Sequence, residues 1–254
     1  MRLRNLPRVV VLGFQGGSLR ALFFVFAFML AAFVLVVFTI VLPLSRWTRR
    51  RSGAPIPPAG GIFYFIAIGT GFMLVEIAMM QQLSIFLGHP VYSLVVVLAG
   101  LIISAGVGSL ISERLPLNST ASSRVPALSA AVLIVLCSVA AVPIIHRYIA
   151  GMLWERAILS LAIVAPCGFL MGTCFPTGLR WMILLGQEGN WAWMWALNGA
   201  ASTLGSFLAI VISMETTIAA CMLTGAACYV LAAMTLPLKR VAVSILEPQR
   251  AAIT

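Results

Sequence analysis

Six polar side chains lie within or beside long apolar runs, and they are the residues of this sequence most able to do chemistry. Glu76 stands near the middle of the run Gly60–Phe86, where a charged side chain costs about 2.5–3.5 kcal/mol on insertion scales. We expect it to be protonated, paired or lining a wet cavity; the alternative is a neutral, hydrogen-bonded Glu that fixes helix packing. The candidates for binding a substrate or ion are Glu76, Gln81, Gln82, His89, Arg180 and Asn198.

Two of these candidates are possible partners for Glu76. Arg180 ends a later apolar run, and Asn198 lies one turn inside the next one. An amide or a carboxylate at membrane depth must find a partner, so convergence of the three groups is a working hypothesis. Spacing along the chain cannot place three helices together.

His89 closes the Glu76 run and is followed by Pro90. Proline is favoured in the first turn of a helix, where its missing N–H is harmless. We therefore interpret His89 as a capping or headgroup contact, and a proton relay is the alternative.

The run APCGFLMGTCFPTGLRW holds two prolines ten residues apart, Pro166 and Pro176. Each removes a helix hydrogen bond, and non-helical backbone at membrane depth occurs only where protein buries it or where it lines a cavity. Because transporters build binding sites from broken helices, Pro166 and Pro176 predict a helix break beside such a site. A merely kinked helix is the alternative.

The elements that must position these residues are apolar throughout. Hydrophobic residues make up 62% of the chain and charged residues 9%, whereas a soluble domain carries about 25% charge. Since a bilayer span needs about 20 apolar residues, we predict an all-α, polytopic transmembrane helical bundle with about seven spans. Six is an alternative count, if the fifth segment enters and leaves on one side. The predicted spans are Leu19–Leu44, Gly60–Phe86, Val91–Ile111, Val125–Ile145, Ile158–Met182, Ala192–Met214 and Thr217–Leu238.

The segment Arg46–Ala59 is the clearest break in the chain. Four arginines followed by three prolines predict an extended linker. It separates an N-terminal segment with the first helix (1–45) from a six-helix block (60–240) and a short tail (241–254). No polar stretch is long enough for a nucleotide-binding domain, so we predict no soluble domain and no catalytic residues.

Small residues recur at four-residue spacing in three predicted helices. This pattern lets helices approach closely, so it predicts packing and says little about function. The patterns are Gly100/Ser104/Gly108, Gly168/Gly172 and Ala201/Gly205/Ala209.

Neither a metal nor a cofactor is predicted. Aspartate does not occur in the sequence, and the five cysteines lie in apolar runs without a CxxC pair. We interpret those cysteines as small apolar packing residues.

The net charge of +10 comes from cations at the ends of apolar runs. In that position they act as topology signals and as contacts to anionic lipid of the bilayer, so we predict no nucleic-acid partner. With seven spans, the C-terminal side holds ten cations and the N-terminal side six. This asymmetry predicts a multi-pass membrane protein with the N-terminus outside and the C-terminus cytoplasmic.

The stretch Tyr64–Gly108, with GFMLVEIA and FLGHPVYSL, resembles the membrane region of bacterial fused MFS-transporter/spermidine-synthase-like proteins. The blocks PCGFLMGTCFPTGLR and WAWMWALNGAASTLGS match that pattern in the same order. In that family the helices accompany an aminopropyltransferase-like Rossmann domain that binds an S-adenosylmethionine derivative. This sequence shows no such domain, so polyamine synthase activity is not expected. Gln82 departs from the family pattern, in which a basic residue often follows the first glutamine.

The leading prediction is a non-catalytic integral membrane protein that serves as an accessory or structural subunit of a larger membrane assembly, with other membrane proteins as partners. The resemblance implies that this membrane is a bacterial inner membrane. The alternative is a transporter-like module for a small metabolite, cationic ones included, with Glu76 binding the cation or a proton. A second alternative is a spermidine-synthase-family membrane protein with no catalytic domain of its own. A membrane enzyme is disfavoured, because no nucleophile–base pair is evident.

Overall fold

The computed structural model of this chain describes residues 17–43, 58–115 and 120–236. Within these ranges the protein is helical and contains no strand, which confirms the all-α prediction. Most of the predicted linker and the predicted tail lie outside the described residues. The helices are α1 (Gly17–Val36, extended by a π-helical turn at Val37–Val41), α2 (Ala59–Leu87), α3 (Pro90–Ser112), α4 (Thr120–Tyr148), α5 (Leu153–Leu184), α6 (Trp191–Glu215) and α7 (Ile218–Thr235).

Six of these helices, α2 to α7, are long and apolar enough to cross a membrane. Their most apolar windows have mean hydropathy from 1.5 to 2.7. In α1 the described apolar stretch is shorter, Phe23–Thr39. Many large apolar side chains on the outer surface are exposed, as far as 73% at Leu110. Such a surface suits lipid, and together these features indicate a multi-pass membrane protein.

Local signals set the helix ends close to where the sequence places them. Gly88 ends α2 in the left-handed region, with φ of 80°, where glycine carries no steric penalty. Pro90 stands in the first turn of α3, as predicted. Between α6 and α7, the hydroxyl of Thr217 accepts a hydrogen bond from the N–H of Ala220 at 3.0 Å. Only Thr216 and Thr217 separate these two helices, which therefore form a tight hairpin.

Helix α2 lies at the centre of the bundle. It packs against α6, α7, α5 and the first turns of α3, and its fully buried side chains, such as Tyr64, Phe65 and Leu74, supply much of the core. Around it the other spans touch in the order α3, α5, α4, α7 and α6, while α1 packs on α6. Little contact joins α3 to α6, so the ring of helices is open on that side.

Helix α5 is continuous from its first residue to its last, although Pro166 and Pro176 both lie inside it. The predicted helix break is therefore wrong, and the fifth segment does not turn back as the alternative count of six assumed. The hydroxyls of Thr173 and Thr177 donate to carbonyls of the preceding turn at 2.6 and 2.7 Å, and α2, α3 and α4 pack around the helix. Neighbouring helices and Ser/Thr hydroxyls make proline tolerable inside membrane helices.

The small-residue patterns predicted as packing sites do pack. A Cβ added to Gly108 of α3 would collide with the backbone of Phe169, and one added to Gly172 of α5 would collide with the backbone of Ala105. We call this contact the α3–α5 seam. The pattern on α6 meets α2 in the same way, since a Cβ on Gly205 would lie 3.1 Å from the backbone of α2.

Candidate functional site

Arg180 holds the end of a neighbouring helix. Its Nη1 donates to the carbonyl of Ser112 at 2.6 Å and to that of Leu115 at 3.0 Å. These carbonyls belong to the C-terminal end of α3, which carries partial negative charge and open acceptors. Arg180 thus fastens α5 to α3 at the end of the seam and makes no contact with Glu76.

Two further arginines act in the same way, and sequence reasoning missed them as structural residues. Arg156 donates from Nη1 to the carbonyl of Phe86 at 3.0 Å, at the end of α2. Arg124 donates from Nη2 to the carbonyl of Leu236 at 2.6 Å, just after α7. Each stands in the first turns of its own helix, which the sequence does show. Which distant helix end it reaches depends on packing.

Asn198 joins α6 to the central helix. Its Nδ2 donates to the carbonyl of Phe65 at 3.0 Å, and the hydroxyl of Ser202 donates to the carbonyl of Gly69 at 3.2 Å. Gly69 makes this approach possible, because a Cβ there would stand 2.6 Å from the carbonyl oxygen of Asn198. The two hydrogen bonds form a polar clamp between α2 and α6.

Glu76 is buried in α2 with 6% of its surface exposed. No hydrogen bond or ion pair joins it to another residue in the described part of the chain. Asn198 donates to the carbonyl of Phe65. This residue precedes Glu76 by eleven positions in α2 and lies about 16 Å from it along the helix, at 1.5 Å per residue. The hypothesis that Glu76, Arg180 and Asn198 converge is therefore wrong, because the arginine and the amide bond to nearer backbone carbonyls.

The remaining predicted polar residues lie toward the end of α2 and just beyond it. Gln81 and Gln82 are half-buried in its last two turns, and His89 is exposed. His89 Nδ1 accepts a hydrogen bond from the N–H of Val91 at 3.2 Å, which makes it the N-cap of α3. Its ring also meets that of Tyr92 edge-on, with centroids 5.8 Å apart. The capping interpretation of His89 is confirmed.

The open side of the ring forms a cleft of about 430 Å³ between α3 and α6, with α2 and α5 behind it. We call it the α3–α6 cleft. Volumes of about 300–1,000 Å³ with mostly apolar walls and a few polar groups are typical of small-molecule sites. Its lining includes three aromatic side chains, Phe72, Phe175 and Trp195, and four polar ones, Ser109, Asn198, Ser202 and Tyr229.

Tyr229 is the unusual member of this lining, because it is 1% exposed and comes from α7, across the central helix. Gly71 of α2 leaves room for its ring, since a Cβ there would stand 3.1 Å from Cε2 of Tyr229. No hydrogen bond joins its hydroxyl to another residue that the structure describes. Tyr229 therefore brings a hydroxyl without a described partner to the lining of the cleft.

Glu76 continues one face of this cleft. Phe72 and Met73 line it from α2, and residues three and four apart on a helix are neighbours on one face. Glu76 follows Phe72 by four residues and Met73 by three, so it lies one turn beyond the cleft toward the end of α2. Sequence reasoning found this residue but could not find the cleft, which depends on where α3 and α6 stand.

A second groove of about 500 Å³ lies between α3 and α5. Apart from Ser104 its lining is wholly apolar, and the Ser104 hydroxyl already donates to the carbonyl of Gly100 at 2.6 Å in its own helix. It lacks the convergent polar groups that orient a ligand. The α3–α6 cleft is the better candidate site.

No group of three or more metal-ligating side chains is found among residues 17–43, 58–115 and 120–236. Two of the five cysteines do meet, Cys137 of α4 and Cys167 of α5, with their sulfur atoms 3.2 Å apart. This contact lies in the packing between α4 and α5.

Comparison of the chain with protein-family models, curated proteins and solved structures finds no match.

Proposed function

We propose that this chain is a non-catalytic integral membrane protein that serves as an accessory or structural subunit of a larger membrane assembly. One observation carries the proposal: Arg180, Asn198 and His89, three of the side chains most able to bind a substrate, are used to hold helix ends and helix pairs together. A bundle that uses its polar groups in this way suits a static partner.

The position of α2 also supports a static role. Secondary transporters place their substrate near the bilayer midplane between two halves that rock against each other. Here the centre of the bundle is filled by a helix that packs against α5, α6 and α7 at once. Glycine contacts to backbone, as at Gly108 and Gly172, leave little room for sliding.

The resemblance of Tyr64–Gly108 to the membrane region of fused transporter/spermidine-synthase-like proteins fits this proposal. In that pattern the helices work beside another protein domain. Under our proposal the helices of this chain likewise work beside a partner protein.

We further propose a bacterial inner membrane, with the C-terminal side cytoplasmic. An even number of spans in the six-helix block brings the start of α2 and the end of α7 to one side. Arg124 and Arg180 lie on that side, and in the sequence the basic runs Arg46–Arg51 and Lys239–Arg240 flank the six-helix block. Cations on the cytoplasmic side follow the positive-inside rule and favour anionic lipid.

A transporter-like module is the second candidate, and Glu76 is the observation that favours it. A carboxyl group at membrane depth without a described partner is a functional residue by default. It would bind a small cation or a proton beside the α3–α6 cleft.

Site-specific photo-crosslinking in native membranes tests the subunit proposal. A benzophenone amino acid is placed at Leu110 of α3, Val139 of α4 or Met234 of α7, which are 73%, 70% and 68% exposed. We expect a discrete protein adduct from one or two of these positions and lipid adducts from the rest. Lipid adducts at every position would overturn the proposal.

Uptake by proteoliposomes separates the two candidates. Vesicles containing the purified chain are loaded with a pH-sensitive dye and given labelled spermidine as a representative cation. The subunit proposal predicts no saturable uptake and no proton flux. Uptake by the wild type that is lost in Glu76→Gln, with normal insertion of the variant, would establish transport instead.

A further inference from the structure

We propose that the α3–α6 cleft binds a neutral, lipid-soluble molecule whose flat ring carries carbonyl oxygens, a membrane quinone being the simplest example, with one carbonyl facing the Tyr229 hydroxyl. The inference concerns the cleft alone. It holds whether the chain is a subunit or a transporter.

The cleft opens sideways, where lipid surrounds the bundle. Trp195 on the α6 wall is 62% exposed. On the α3 wall a Cβ added to Gly106 would have no atom within 4 Å. A ligand dissolved in the bilayer can therefore enter without passing through water.

The walls suit a flat ring. Phe175 and Trp195 meet edge-to-face with centroids 4.7 Å apart, and Phe175 meets Phe65 in the same way at 5.2 Å. Phe72 faces the cleft from α2. Aromatic side chains favour ring ligands through stacked and edge-on contacts, whereas a flexible acyl chain gains nothing specific from them.

The polar side chains that line the cleft can donate hydrogen bonds, so they favour a ring that carries acceptors. Tyr229 presents a hydroxyl with no bonding partner in the described part of the chain. An amide nitrogen carries two N–H donors, and Asn198 uses one of them on Phe65. Ser109 lines the same cleft with a hydroxyl. A buried donor left unsatisfied is unfavourable, so a carbonyl oxygen is the complementary group.

The described lining of the cleft does not suit the charged headgroup of a phospholipid. No Arg, Lys, His, Asp or Glu is among the described residues that line the cleft, and Arg124, Arg156 and Arg180 bond to backbone carbonyls. A phosphate would enter an apolar site without a cation, which is costly. A neutral ring with a hydrophobic tail has no such cost.

Tryptophan fluorescence of the full chain in lipid nanodiscs provides the test. Decylubiquinone is titrated at fixed lipid content, and quenching is read as a function of its mole fraction in the bilayer. We expect a saturable component from Trp195, lost in Trp195→Phe and kept in Trp154→Phe, which removes another exposed tryptophan. Quenching that rises linearly and equally in all three proteins means partition into lipid only and overturns the proposal.

Two variants locate the site. Tyr229→Phe removes only the hydroxyl and is expected to weaken binding roughly 3- to 10-fold, the loss of one hydrogen bond. Gly106→Leu extends a side chain into the cleft and is expected to abolish the saturable component. Its matched control is Gly199→Leu on α6, where a Cβ also meets nothing within 4 Å and which does not line the cleft. Unchanged affinity in Tyr229→Phe, or equal loss in both leucine variants, contradicts the proposal.

A ligand control separates carbonyl recognition from simple hydrophobic filling. The dimethyl ether of the corresponding hydroquinone keeps the ring and the tail and lacks the carbonyls. We expect the affinity of this ether for the wild type to be no higher than the affinity of the quinone for Tyr229→Phe. Equal binding of the two compounds would make the cleft an unspecific lipid groove. The thermal midpoint of each variant is measured first, so that a folding defect is recognised as such.

Discussion

Helix α3 has two sides that carry similar small residues and behave in opposite ways. On one side Gly108 lies so close to α5 that a Cβ would collide with the backbone of Phe169. Two residues earlier, Gly106 faces the open cleft, and a Cβ would have no atom within 4 Å. A small residue therefore marks either a seam or a cavity, and only the neighbouring helix decides which.

The difference shows how the bundle divides its tasks. The α3–α5 seam is closed by backbone contact and locked at its end by Arg180. The α3–α6 side is held apart, because Asn198 and Ser202 bind α6 to α2 rather than to α3. The seam fastens α3 to α5 and the clamp fastens α6 to α2, so the cleft between α3 and α6 stays open.

Gly108→Ala should have the largest effect on stability, because it adds a methyl group inside the α3–α5 seam. The added methyl meets backbone that cannot rotate away, so the free energy of unfolding should fall by about 1–3 kcal/mol, as for other overpacked sites. SDS titration in mixed micelles, followed by helical circular dichroism, measures it. Gly106→Ala is the matched control and should equal the wild type or gain up to about 1 kcal/mol of helix propensity. Equal losses of unfolding free energy in both variants would contradict the close packing that we infer at the α3–α5 seam.

Arg180→Met should loosen the end of the seam. The variant keeps apolar length but loses both hydrogen bonds to the C-terminal carbonyls of α3, which should cost about 1 kcal/mol in the same titration. Arg147→Met, at an exposed arginine of α4, serves as the control and should change stability by less than half as much. If the free energy of unfolding falls equally in the two variants, Arg180 contributes only its charge and does not cap α3.

Asn198→Ala should weaken the clamp that holds the far wall of the cleft. Side-chain hydrogen bonds in membrane bundles average about 0.6 kcal/mol and reach about 1.7 kcal/mol, and a loss in that range is expected. Thr203→Ala is the control, since the described bond of that hydroxyl runs at 2.9 Å to Gly199 of the same helix. A larger loss in Thr203→Ala would argue against the clamp.

Glu76→Gln should have the smallest effect on stability, below about 0.5 kcal/mol. The substitution preserves shape, and no bond to a described residue is lost that would bring the usual cost of about 0.5–1.5 kcal/mol. The same unfolding titration checks it. A loss above 1 kcal/mol would mean that the carboxyl group holds the bundle together, and the transport alternative would lose its supporting observation.

Much of the fold was predictable from the sequence because it depends on local patterns. The predicted span Gly60–Phe86 differs by one residue at each end from the observed helix Ala59–Leu87. Apolar length, Gly88 and Pro90 set these boundaries without reference to any other helix. The small-residue patterns likewise predict close packing without naming the partner helix.

The polar residues show where sequence reasoning stops. Arg180 and Asn198 were found as candidates because polar groups in apolar runs must have partners. Their actual partners are backbone carbonyls at Ser112 and Phe65, groups that every residue possesses and that no sequence pattern marks. The break predicted at Pro166 and Pro176 is wrong for a related reason, since α5 stays helical while α2, α3 and α4 pack along it, an arrangement that no local pattern shows.

By itself the sequence determined that this chain is a bundle of apolar helices, where those helices begin and end, and which small residues allow close packing. These properties follow from composition and local spacing. Tertiary structure alone decided that α2 lies at the centre, that Gly108 is sealed while Gly106 is open, and that Tyr229 reaches across Gly71 into the cleft. Each of these depends on which helices stand side by side, and packing energy, summed over the whole bundle, sets that arrangement.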